Sequence, residues 1–391
     1  MTPPRIDVLP PLPPTVYARR PAERLPFPLE EPNCRLYARG RHGLRQGLRP
    51  LGLEPGDEIL TPAYHHGSEV EALIDAGLRC AYYDVGDTLA PDAAELDALV
   101  SERTRALYLI HYLGFPQDAP RWRAWCDERG LLLIEDAAEA WLTSIDGRPV
   151  GSFGDLAIFC LYSTYGLTDG AALISSAPPD PPRGHSRRGL RRLARRHGRW
   201  LAARSGVVAH AVARRQRPYH PERDYALGDS STPPAMTSMP LLARLATRDA
   251  AALRRANYAA LLAELGPHVP PALRHVPAGS SPHAFPIETT AGPMVVAELA
   301  SMGVRAFRYW SLPHSSVPAG EFPGAARWRS RIVVLPVHQE LRPADVGRVT
   351  TAARRALAGR RDVSVAGAAA QIAPRDGSSA ASVRTSVSPT R

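Results

Sequence analysis

Lysine is absent from all 391 residues, and each of the 48 Lys-or-Arg positions is arginine. The lack excludes any reaction in which a lysine ε-amine forms an imine, in any register of the chain, and a second copy of the chain cannot donate one either. Cysteine is scarce. Cys34, Cys80, Cys126 and Cys160 are scattered without CxxC spacing, so neither a disulfide framework nor a zinc knuckle is implied, no metal site is expected, and buried thiols are the plain reading. Long apolar runs are missing too: no stretch reaches the roughly 18 residues that a bilayer span needs. The first 32 residues are rich in proline and charge and hold no apolar signal core, so a soluble cytoplasmic protein is expected.

What is present suffices for a large core. The chain is 44% apolar and 22% charged, and its length suits roughly two to three domains. The net charge of +10 is local: residues 183–217 hold 12 arginines and no acid, which leaves 36 basic against 38 acidic residues elsewhere. The main body is therefore close to neutral.

Apolar periodicity predicts repeated helix and strand: helices over 44–51, 68–76, 92–101 and 120–129, and strands over 57–63, 79–85, 105–113 and 131–135. Ser68 with Glu71 and Asp92 with Glu95 have capping-box spacing, and Gly77 and Gly130 follow helix ends. The aliphatic runs 107–110 and 131–134 read as strands buried on both faces, as in a parallel sheet covered by helices. Short strands over 156–161 and 171–175 follow. A long helix over 241–265 then leads to a smaller C-terminal α+β unit with extended segments at 285–288, 303–310 and 332–335. The expected organisation is a disordered leader (1–32), a large α/β domain (33–233) with an Arg-rich helical insertion (183–217), a small domain (234–361) and a disordered tail (362–391).

Several motifs carry chemistry. Gly40-Arg41-His42-Gly43 opens a helix, where unpaired N–H groups and the positive dipole end can hold a phosphate; a Gly-rich turn is the alternative. Asp136 ends a buried strand, which calls for a cation or for backbone amides around its carboxylate.

In order, Ala38-Arg-Gly-Arg-His-Gly-Leu44, Pro55-Gly-Asp-Glu-Ile-Leu-Thr-Pro-Ala-Tyr64, His111-Tyr-Leu-Gly-Phe-Pro116, Ile134-Glu-Asp-Ala-Ala-Glu-Ala140, Gly151-Ser-Phe-Gly-Asp155 and Leu335-Pro-Val-His338 resemble the DegT/StrS family of sugar-nucleotide aminotransferases. The likeness runs from about 34 to 360. It implies a fold-type I α/β architecture, with a mainly parallel sheet covered by helices and a smaller C-terminal domain. It also implies a pyridoxal or pyridoxamine phosphate site made by Gly40, Arg41, His42, His66, Asp136, Glu139 and Cys160. By the same likeness, Asp136 faces the pyridine nitrogen, His66 takes the place of a stacking aromatic, and Cys160 stands where relatives tend to have a serine near the phosphate. Arg305, Trp310 and His314 fall in the segment that helps line a sugar pocket. A homodimer is implied, with elements near 40–43 and the segment after Pro218 facing the partner subunit; Tyr225-Ala-Leu-Gly-Asp229 lacks the family's Asn-Tyr-Arg-like pattern.

The departure is at the reactive residue. Counting back from Asp169-Gly170 puts Ser163 at the family's Schiff-base lysine, whereas counting forward from Gly154-Asp155 puts Tyr165 there. Neither can form an imine, so lysine-shuttled transamination is excluded. Three readings stay open: an enzyme holding the cofactor non-covalently, with His66, His65 or Tyr165 moving protons on a nucleotide-sugar or related carbonyl substrate; a non-catalytic binding or partner subunit; or a pocket repurposed without the cofactor. Separately, Arg187, Arg188, Arg191, Arg192, Arg195, Arg196 and Arg199 recur at three- and four-residue steps, an amphipathic basic helix suited to an anionic surface or simply to solvent.

Overall fold

The structure is a computed structural model and describes residues 5–183, 189–202, 225–246 and 249–358. Its strands are β1 (Cys34–Tyr37), β2 (Glu58–Pro62), β3 (Arg79–Tyr83), β4 (Thr104–Ile110), β5 (Leu132–Asp136), β6 (Ser144–Ile145), β7 (Arg148–Pro149), β8 (Leu156–Cys160), β9 (Ala171–Ser175), β10 (Phe285–Glu288), β11 (Phe307–Arg308) and β12 (Ile332–Leu335). Its α-helices are α1 (Gly40–Leu48), α2 (Ser68–Asp75), α3 (Ala93–Leu99), α4 (Ala119–Arg129), α5 (Leu161–Tyr165), α6 (Gly189–Ala202), α7 (Ser238–Leu245), α8 (Ala250–Leu265), α9 (Gly292–Ser301), α10 (Pro323–Arg331) and α11 (Pro343–Leu357).

Seven strands form the main sheet in the order β1-β9-β8-β5-β4-β2-β3. The inner run β3, β2, β4, β5 and β8 is parallel, and β9 and β1 add antiparallel strands at one side. Leu107 to Ile110 and Leu133 to Asp136 are buried throughout, as expected for strands with helices on both faces. Asp92 caps α3 by accepting from the Glu95 amide, and Gly130 closes α4 with φ +64°. β10, β12 and β11 make a second, antiparallel sheet.

Four expectations are corrected. The leader is not outside the core: Ile6, Val8, Leu12 and Val16 are buried, and Ile6 bridges Val304. Proline fixes this stretch in an extended path, so its apolar side chains reach the core without helix or strand periodicity. The helix over 241–265 is two helices, because Asp249 turns out of α7 and caps α8 by accepting from the Ala252 amide. Ser68 does not cap α2: Gly67 holds the N-cap position with φ +112°, and the Glu69 carboxylate accepts from the His66 and Gly67 amides instead. Over 303–310 only Phe307 and Arg308 pair as strand. The basic segment is described only over 189–202, and the tail from 362 lies outside the described residues.

Candidate active site

β5 delivers two consecutive acids to opposite faces of the sheet. Glu135 is held by amides: Gly151, Phe153 and Gly154 donate to it at 2.8, 2.8 and 2.5 Å, and the His111 ring lies at 3.1 Å. Asp136 has a different set. The Tyr108 hydroxyl donates to Oδ2 at 2.7 Å and the Ala138 amide to Oδ1 at 2.9 Å. Among the described residues no cationic side chain makes an ion pair with it. Burial, and then the charge of Glu69, push its carboxyl up to about 7. Glu69 is itself buried and shifted upward, mainly by desolvation.

The opposite side of the site is basic. α1 starts without a side-chain cap, with Arg39 at its N-cap position and Gly40 and Arg41 in its first turn. A Cβ on Gly40 would stand 3.1 Å from Cys160 Sγ, so the helix start and the end of β8 meet there. The guanidinium of Arg39 lies 4.7 Å from the centre of the Tyr162 ring. Burial and the nearby Asp136 raise the Cys160 thiol to about 12, leaving it protonated. His42 turns away, its Nε2 at 2.9 Å from the Leu227 carbonyl, and burial lowers its pKa.

Aromatic rings form the third wall. His66 is half-buried with Nδ1 at 3.1 Å from Ser68 Oγ, and its ring centre is 5.6 Å from Tyr225 and 6.2 Å from Trp310. Gly67 is required here, because a Cβ would come within 2.7 Å of the Tyr225 ring. Trp310 stacks on Tyr309 at 4.4 Å and also meets Tyr64 and Tyr112. Glu139 accepts from the Leu113 amide at 3.2 Å and from the Tyr309 hydroxyl, and burial raises its carboxyl to about 8. Arg329 secures this wall. Its buried guanidinium donates to the carbonyls of Ala63, His65, Trp310 and Leu312 at 2.6 to 3.3 Å, tying the His66 segment to the Trp310 segment.

The residues at the two lysine registers do not enter this space as reactive groups. Ser163 Oγ donates back to the Cys160 carbonyl at 2.9 Å. Tyr165 packs edge-on against Trp141 at 5.5 Å and lines a separate cavity of about 320 Å³ with Phe27, Phe159 and Asp249. Arg254 and Gln339 hold the turn that orients it, both donating to the Thr164 carbonyl. His65 is fully buried, and desolvation lowers its pKa far below the usual range. Arg305 is exposed and faces Asp7 of the leader at 3.5 Å, while Trp310 lies beside His66, and His314 pairs with Glu71 at 3.1 Å. The 225–232 segment folds onto the chain's own α1 through His42 and through the Thr232 carbonyl, which accepts from Ala38.

Sequence reasoning missed Glu69, Tyr108, Tyr309 and Arg329. Tyr108 had a signal: it is the polar ring in an otherwise aliphatic strand, two residues before the position paired with Asp136. The donor set suits a phosphorylated pyridine at three points. α1 with Arg39 and Arg41 offers amides and positive charge to a phosphate, Asp136 offers a carboxyl without a cation, and His66 offers a ring face. At the fourth point there is no amine.

A parallel-centred sheet whose carboxyl-end acid faces a helix N-terminus, joined to a small antiparallel sheet, is the fold-type I aminotransferase architecture. The chain belongs to the DegT/DnrJ/EryC1/StrS aminotransferase family, whose model matches residues 30–176. The UDP-N-acetyl-3-dehydro-alpha-D-glucosamine 3-aminotransferase of Acidithiobacillus ferrooxidans is 30% identical over 339 residues, covering 82% of this chain and 84% of its own. GDP-perosamine synthase of Vibrio cholerae is 30% identical over 132 residues, 34% of this chain and 36% of that one. Among solved structures, the aminotransferase TlmJ of Streptoalloteichus hindustanus superposes with a TM-score of 0.61 at 25% identity, over 83% of this chain and 86% of that one. The Bacillus subtilis protein NtdA with bound PMP shares the fold, with a TM-score of 0.58 at 16% identity over 83% and 73%.

Proposed function

We propose that this chain is a lysine-independent member of its family, holding pyridoxal or pyridoxamine phosphate non-covalently and acting in the cytoplasm, as a homodimer, on a nucleotide sugar or related carbonyl compound. The observation that carries the reading is Asp136: a buried carboxyl, oriented by Tyr108, with no ion pair among the described residues and with the α1 N-terminus across the site. The nucleotide-sugar class follows from the relatives named for UDP- and GDP-linked sugars.

When bound, the cofactor would supply an electron sink for proton removal next to a carbon–nitrogen bond. Asp136 would give up its proton to face a protonated ring nitrogen, and Tyr108 would keep the carboxylate in place. His66, half-buried and backed by Ser68, is the side chain placed to hold or move a proton at the open side of the site. Tyr64, Tyr112 and Trp310 exclude water from that side. A second reading, a fold kept for binding or for partnership with another subunit, is favoured by the Ser163 and Tyr165 side chains, which both turn away.

Titration calorimetry of the full chain with pyridoxamine phosphate tests the proposal. Binding is expected, with Asp136→Asn weakening it by about 1 to 3 kcal/mol for a lost charge-assisted hydrogen bond. Absence of binding by either cofactor form would favour the second reading.

A further inference from the structure

Helix α6 is basic by composition and amphipathic by periodicity, and the proposed activity uses none of it. Its inner face is seated on the body of the protein. Leu193 is buried, Arg196 donates to the Gly166 carbonyl at 2.5 Å, and His197 lies 3.0 Å from both the Leu12 carbonyl and the Tyr17 hydroxyl.

The outer face is the unusual part. Leu190 and Leu201 are 52% and 57% exposed. They are eleven residues apart, so at about 100° per residue they fall within roughly 20° of each other, with exposed Ala194 between them. Arg191 and Arg195 are exposed and flank that apolar line on one side, at about 100° and 140° from Leu190, and exposed Arg192 lies beyond them at about 200°. The helix contains no acid, and neither does the rest of 183–217 in the sequence. A helix meant only for solvent has no use for two leucines aligned on its exposed side. A nucleic-acid contact would use the arginines and leave the leucines idle. Leucines in line beside arginines match a surface that is apolar just beneath an anionic layer.

We propose that α6 docks the protein on an anionic phospholipid membrane, lying in the interface with Leu190 and Leu201 inserted and Arg191 and Arg195 on lipid phosphates. The docking does not depend on the state of the cofactor site, so either proposal can fail alone.

The test is co-sedimentation of the full chain with vesicles of phosphatidylcholine, with and without phosphatidylglycerol, as a function of salt. Binding is expected only to the anionic vesicles. Replacing Arg191 and Arg195 together by glutamine should weaken it on the order of 30-fold. Leu190→Ser with Leu201→Ser should lower affinity on the order of 10-fold or more and leave what remains more easily released by salt. All four positions are exposed, and an unchanged melting temperature confirms that the variants fold. Equal binding to both vesicle types, full binding by the leucine variant, or no vesicle binding at all would overturn the proposal. So would tighter capture of a single-stranded oligonucleotide that the leucine changes do not affect.

Discussion

Asp136→Asn should have opposite effects on the cofactor-free and cofactor-bound protein. In the free protein the carboxyl is pushed from 3.8 up to about 7, first by burial and then by Glu69. Between those two values the unfolded chain has lost the proton and the folded chain keeps it. The folded state therefore binds more protons, and stability falls as pH rises from about 4 to about 7, then levels off. Three units at about 1.4 kcal/mol each give an upper bound of roughly 4 kcal/mol. It is an upper bound because the field of Glu69 weakens whenever Glu69 is itself protonated. Asparagine cannot titrate. Its single oxygen can accept from only one of Tyr108 and Ala138, a cost of about 1 to 3 kcal/mol that does not vary with pH. The readout is therefore how the difference in melting temperature between variant and wild type changes from about pH 4 to about pH 8. With roughly 0.8 kcal/mol/K of unfolding entropy for a chain of this length, that change should favour the variant by up to about 5 °C. Saturating pyridoxamine phosphate should reverse the trend, raising the wild-type melting temperature more than that of the variant. A difference independent of pH, or one that moves against the variant as pH rises, would refute the assignment of a raised, titrating carboxyl to Asp136.

Borohydride reduction after incubation with pyridoxal phosphate should leave no phosphopyridoxyl adduct within 34–360 by mass spectrometry; an adduct there would overturn the reading of the site. Arg329→Met relieves the burial of a guanidinium but leaves the carbonyls of Ala63, His65, Trp310 and Leu312 without their shared donor, so urea denaturation should show a net loss of about 1 to 3 kcal/mol. An unchanged midpoint would mean that water replaces it. Leu12→Ala should cost about 2 to 5 kcal/mol, as for a core leucine, whereas a loss within about 0.5 kcal/mol would return the leader to the status of a loose tail.

The alternating strands were legible because aliphatic runs such as Leu107 to Ile110 have no other stable place than a covered sheet, and the cap at Asp92 because its partner sits three residues on. Gly40 and Asp136 were legible through motif order, and both border the site. On the small-domain side Trp310 was legible through the family likeness, whereas Tyr309 and Arg329 were not, since they reach Tyr64 and His65 across more than 240 residues and no local spacing encodes that meeting. Ser68 with Glu71 looked like a cap because spacing alone cannot see that Glu69 reaches back to the same amides. The direction of Tyr165 was hidden for a similar reason: the loop register named the position, and Arg254, from a distant helix, holds the carbonyl of Thr164 in the turn that carries it.

The leader also bears on how the chain can be assembled. Ile6 accepts from the Arg305 amide and donates to Gly303, the Asp7 carbonyl meets His338, and Ala22 donates to Ala243. Its partners lie up to about 330 residues further along the chain, and the contacts of Ile6 and Asp7 with Gly303, Arg305 and His338 cannot form before the small domain is present. Docking of Ile6 and Asp7 is therefore a long-range closure, coupled to the folding of the small domain and not to that of the large sheet alone.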